Sequence, residues 1–183
     1  MSLKNLIKVS ASIAMLSFLA GCAVTGEPRD ENVAFNDDGY TIANEQFRNA
    51  ITVDEVTNFP GTSSFSFSGR VAPNFSDESF KEVLELSLKN ADFYGEGYLL
   101  NANLIDSGDW SDWGVSLGNK SRRIEIEYTL TQNGETVFNE TFVSDISQTN
   151  YNPLAPFYLT QRKTAEINYA ENIKMLIEKL NMM

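Results

Sequence analysis

Hydrophobic and polar residues are distributed along this chain in distinct regimes. Residues 1–21 open with Lys4 and Lys8, continue through the largely apolar run Val9 to Ala20, and close on small residues. That run of twelve residues falls short of the roughly 20 needed to cross a bilayer, and the pattern is that of an export signal removed at its small-residue end. From residue 22 to 61 the apolar positions are scattered among Glu27, Asp30, Glu31, Asp37 and Asp38, with no sustained period. An acidic tether is expected there, ending at Pro60-Gly61, with Phe35, Tyr40, Ile42, Phe47 and Ile51 available to dock locally.

Periodic sequence begins at Phe65. Phe65, Phe67 and Val71 alternate and predict a strand. Ser76 is placed to cap a helix over Asp77 to Asn90, whose Phe80, Val83, Leu84 and Leu88 share one face and whose first turn carries Asp77 and Glu78 at the positive dipole end. Tyr98 to Ile105 predicts a second strand. Arg123 to Leu130 alternates as a sheet wetted on one face does, and Asn133-Gly134 supplies a tight hairpin turn from which Thr136 to Ile146 returns. Ile167, Ala170, Ile173, Ile177 and Leu180 mark a final helix over Thr160 to Leu180, preceded by Pro153 and Pro156. The order β-α-β-β-β-α predicts an α+β domain over residues 62–183: an antiparallel sheet of about four strands with both helices on one face.

With a symmetric two-residue turn, Leu130 faces Val137 and Tyr128 faces Asn139, which turns Phe138 and Phe142 outward and sets Glu127 against Glu140. Two readings follow. Either a bulge changes the register or the tether covers these rings, or Phe138 and Phe142 form a partner surface.

Composition narrows the chemistry. There is no His, and Cys22 is the single Cys, so imidazole-based triads, imidazole metal sites, internal disulfides and Cys-cluster zinc sites are all excluded. Removal of residues 1–21 takes away two lysines and no acid, so the formal charge goes from −11 to −13. A body so anionic lacks the footprint of a nucleic-acid binder. Asp106, Asp109 and Asp112 recur at spacing three without the terminal bidentate acid of a known calcium loop, and no metal or other cofactor is expected. In the same loop Trp110 and Trp113 are candidates for partner anchors, because a large ring buries much area at small entropic cost, with packing on the domain as the competing role. Two carboxylates from Asp106, Asp109, Asp112, Glu125 and Glu127 acting on an envelope glycan would make an enzyme, yet nothing selects a pair, and no catalytic residue is assigned.

Leu19-Ala20-Gly21-Cys22 resembles the lipobox of bacterial lipoproteins. That resemblance implies that Cys22 becomes the mature N-terminus and carries acyl chains, and the following Ala23 implies sorting to the outer membrane, on its periplasmic face. Two or more acyl chains hold a protein on a bilayer stably where one does not. From Phe65 onward, the element order and segments such as Phe80-Lys81-Glu82-Val83-Leu84-Glu85 resemble YajG-type small lipoproteins and, more loosely, LpoB-like activator lipoproteins. The resemblance brings no catalytic residues and implies action through binding an envelope protein. The short tether departs from the long, Pro-rich linker of the activators. The expected function is thus a lipid-anchored, non-catalytic binding, scaffold or regulatory module, with a glycan-acting enzyme or a small-ligand carrier as the alternatives.

Overall fold

The computed structural model describes residues 26–36, 43–65, 70–108, 110, 123–146 and 157–183. In chain order the elements are a short helix α1 (Asp30–Val33), a 3-10 turn (Glu45–Phe47), β1 (Ile51–Thr57), β2 (Ser63–Phe65), β3 (Arg70–Ala72), α2 (Asp77–Asn90), β4 (Tyr98–Asp106), β5 (Ile124–Gln132), β6 (Glu135–Ser144) and α3 (Phe157–Met182). The main sheet has the order β1-β4-β5-β6, with β1 parallel to β4 and the other neighbours antiparallel. The α+β architecture is as expected from the periodicity. The sheet, however, is mixed rather than antiparallel, and its edge strand β1 lies within the stretch expected to be tether.

A bulge explains why β1 escapes the period-two pattern. Val53 pairs with Leu100 and Val56 with Ala102, so β1 spends three residues where β4 spends two. The extra residue leaves Asp54 and Glu55 both exposed between buried Val53 and Val56. Parallel pairing then requires a crossover, which α2 supplies. The stretch expected as one strand from Phe65 to Val71 is two short strands, with Ser63 facing Ala72 across an antiparallel pair. The folded unit therefore starts well before residue 62.

Helix α2 has the expected limits. The Ser76 side chain accepts a hydrogen bond from Ser79 N at 3.1 Å, satisfying a donor the first turn leaves free. Its Phe80, Val83, Leu84 and Leu88 are fully buried. Phe80 stacks on Phe59 at 4.2 Å between ring centres and lies 5.8 Å from Tyr169 of α3, so the two helices share an aromatic layer over the sheet. Each such ring, taken from water, contributes about 2–3 kcal/mol.

The β5–β6 hairpin turns on Asn133 (φ 52°) and Gly134 (φ 84°), the two positive-φ positions of a tight turn. Gln132 pairs with Glu135 and Thr131 with Thr136, but Leu130 pairs with Phe138. The additional residue in β6 reverses the outward placement obtained with a symmetric turn. Phe138 is buried and Phe142 packs against the core, on the face covered by the helices. Glu127 now faces Thr141, and Glu140 forms an ion pair with Lys179 of α3.

Helix α3 turns several polar residues inward, Asn168 and Asn172 among them. Asn172 accepts from the Tyr128 hydroxyl at 3.1 Å and donates to Phe142 O at 2.9 Å. Asn168 accepts from Ile146 N at 2.8 Å and donates to Ile146 O at 3.1 Å, clamping the chain beyond β6 as a neighbouring strand would. Burial pushes the Tyr128 hydroxyl well above the usual tyrosine range, so it remains a neutral donor. Asn172→Ala would remove the partner of this buried hydroxyl and the side-chain donor to Phe142 O, and a loss of about 2–4 kcal/mol is expected. Urea unfolding should show it as a lowered midpoint with an unchanged slope.

Candidate functional site: the docked N-terminal strap

The residues with most to say about function lie ahead of the sheet. Residues 26–36 form a strap along α2 and α3, with Gly26, Pro28 and Val33 buried. Glu166 of α3 anchors its first half: one carboxylate oxygen accepts from Arg29 N and the other from the Asn32 amide, each at 3.1 Å. The Glu166 side chain is only 8% exposed, and the guanidinium of Arg162 lies 3.4 Å away. A carboxylate removed from water in this way is stabilised by two donors and one cation. Further along, Phe35 N donates to Ser87 Oγ at 3.0 Å and Phe35 O accepts from Asn90 at 2.7 Å. At the other end of α3, Asn181 Oδ1 accepts from Ala43 N and Asn44 N, while the Asn44 amide donates to Leu180 O. Phe47 is buried edge-on to Tyr98, ring centres 5.1 Å apart.

Beside the start of the strap is an open cleft of about 320 Å³, lined by Glu27, Pro28, Arg29, Asp30, Ser79, Glu82 and Arg162. Ser79 Oγ donates to Glu27 at 3.2 Å, fixing this end of the strap to the first turn of α2. The Asp30 carboxyl is raised above the usual carboxylate range, chiefly by loss of hydration and then by the charges of Glu82, Glu31 and Glu27. Docking therefore disfavours the ionised form. The contribution of Asp30 to docking is fully present below the ordinary carboxylate range and is lost as pH rises through the elevated value. Asp30→Asn is expected to slow hydrogen exchange at the Val33 and Phe35 amides at neutral pH and to flatten its excess pH dependence over that of free peptide.

The expected site residues have different fates. Cys22, Trp113, Asp109 and Asp112 lie outside the described residues. Trp110 is 3% exposed and its indole donates to Ser107 O at 3.0 Å, so its ring packs on the domain. Asp106 accepts from Gly108 N, Glu125 pairs with Arg123, and Glu127 accepts from Asn139 on the open face of the sheet. Among the described residues no group of three or more acidic or thiol side chains is placed to hold a metal ion. No helix among them is long and apolar enough to cross a membrane. The anchors of the strap, Glu166, Ser87, Asn90 and Asn181, carry no sequence motif. Glu166 and Ser87 are buried polar side chains, whereas Asn90 and Asn181 lie at exposed or half-buried helix ends.

No protein-family model matches the chain, and no curated protein matches it in sequence. Comparison with solved structures finds likenesses of differing strength. A protein of family DUF330 from Xanthomonas campestris superposes with a TM-score of 0.51 at 10% identity, covering 81% of this chain and 90% of its own. A candidate lipoprotein from Caulobacter crescentus CB15 gives 0.49 at 16% identity, over 75% of this chain and 92% of its own. A PelC dodecamer structure from Paraburkholderia phytofirmans gives 0.36 at 9% identity, over 75% and 90%. The likeness to the Xanthomonas protein is one of fold.

Proposed function

We propose that this protein is a bacterial envelope lipoprotein, anchored by acyl chains on Cys22 and acting as a non-catalytic binding or accessory module at the periplasmic face of the outer membrane. The observation that carries the reading is Leu19-Ala20-Gly21-Cys22 at the end of a basic and then apolar leader, a few residues before the docked strap. The strong negative charge of the domain disfavours attachment to an anionic bilayer through the protein surface, so lipid supplies it. Binding rather than turnover is favoured by the single Cys, the absence of His, and the engagement of Asp106, Glu125 and Glu127 in local pairs. Its partner would be another envelope protein, reached from the membrane surface.

Mass spectrometry of the mature N-terminus tests the first part. The expected product starts at Cys22 and carries the mass of two or three acyl chains, whereas an unmodified thiol would refute it. Crosslinking in intact envelopes tests the second, with a stoichiometric protein partner expected.

A further inference from the structure

The strap has a definite direction along the domain. Glu27 is bonded to Ser79 at the start of α2, and Phe35 to Asn90 at its end, so the strap runs from the N-terminal to the C-terminal end of that helix. The pairing of Leu99 with Thr131 and Gln132 with Glu135 puts the Asn133-Gly134 turn at the opposite end of the molecule from Glu27. Buried Gly26 is four residues after Cys22, a stretch that spans at most about 14 Å when fully extended. Strand β6 runs nine steps, or about 30 Å, from the turn to Ser144.

Building on the lipid-anchor reading above, we infer that the α2 N-terminal end of the domain is held against the head groups of the bilayer, while the β5–β6 turn points away from it. The leash is too short to let the molecule invert. Exposed acids along the strap flank, Glu31 and Glu82 among them, oppose lying flat on an anionic leaflet. The surface offered to the aqueous space is then the far end, formed by the β5–β6 turn and the C-terminus of α3. A partner must reach this domain within about one domain length of the membrane, and it cannot be met across a wide gap.

The test uses the full lipidated protein in phosphatidylethanolamine and phosphatidylglycerol vesicles bearing a quencher on the head groups. Because lipid occupies Cys22, an introduced cysteine is the only thiol available for a fluorophore. Glu78→Cys marks the near end and Glu135→Cys the far end, both at exposed positions. Several-fold stronger quenching at position 78 is expected, and equal quenching or the reverse order overturns the orientation. A flexible Gly-Ser insert of about twelve residues after Thr25 adds about 20 Å of reach and should bring the two signals together. A difference that survives the insert overturns the leash as its cause. Protein that does not float with the vesicles refutes the lipid anchor itself, a result distinct from loss of orientation.

Discussion

Replacing Gly95 with Ala is expected to cost the protein at least about 3–5 kcal/mol, a large fraction of the stability of an ordinary domain. A Cβ built at this position would lie 1.8 Å from Asn49 O and 2.3 Å from Asn49 C. These are backbone atoms, so no side-chain rotation relieves the overlap. Asn49 is itself held by a 2.8 Å bond from its N–H to Asp92 O, and Gly95 N donates to Ile51 O at 2.9 Å. To admit a methyl group, the chain entering β1 must separate from the connection entering β4, and the parallel pair opens at its first residues. Gly134→Ala provides the reference, since its Cβ would meet nothing within 4 Å and only the positive φ is strained. That variant should lose about 1 kcal/mol. Urea midpoints of the two variants against the parent measure the contrast, and a Gly95→Ala protein with nearly parental stability would contradict this close approach of β1 and β4.

The same junction shows where sequence patterns suffice and where they fail. Helix α2 is legible from end to end because cap, dipole charges and apolar face all agree at Ser76, Asp77, Glu78 and Phe80. The β5–β6 turn is legible because Asn133-Gly134 is local chemistry. Strand β1 is not, since its bulge puts Asp54 and Glu55 together in a seven-residue strand and erases the alternation. The bulge in β6 likewise reverses which face Phe138 and Phe142 occupy, because one added residue inverts the side-chain phase of everything beyond it. Docking of the strap depends on partners such as Asn32 and Glu166, separated by 134 residues, and no short-range pattern encodes such a pair. The buried asparagines of α3 dilute its apolar stripe for the same reason: Asn172 is inward to satisfy Phe142 O of β6, and Asn168 to satisfy Ile146 just beyond that strand. For the candidate site, the sequence offers the resemblance at Leu19-Ala20-Gly21-Cys22 on which the proposed anchor rests. It carries no comparable pattern for the strap.

Cys22→Ser is expected to move the protein from the membrane fraction to the soluble fraction while leaving the domain folded. Serine has no thiol to carry a thioether-linked lipid. Each buried methylene of an acyl chain contributes about 0.8 kcal/mol, so loss of the chains removes far more binding than any surface contact could replace. Among the described residues there is little to substitute. Exposed Leu99, Ile105 and Val143 on the open sheet face alternate with Asn101, Asn103, Glu125 and Glu127, and the body carries a formal charge of −13 without residues 1–21. Stability should be unaffected, because the described core is built from residues that follow residue 26, and the same urea midpoint is expected with or without lipid on residue 22. The variant is best expressed behind an unrelated secretory signal cleaved by a conventional peptidase, so that a retained Val9–Ala20 segment cannot stand in for the anchor. Flotation on a density gradient then separates the outcomes: parent protein rises with the vesicles and the Cys22→Ser variant stays below. Retention of the correctly cleaved variant on the membrane would mean that the folded surface itself binds there, which its charge and polarity argue against.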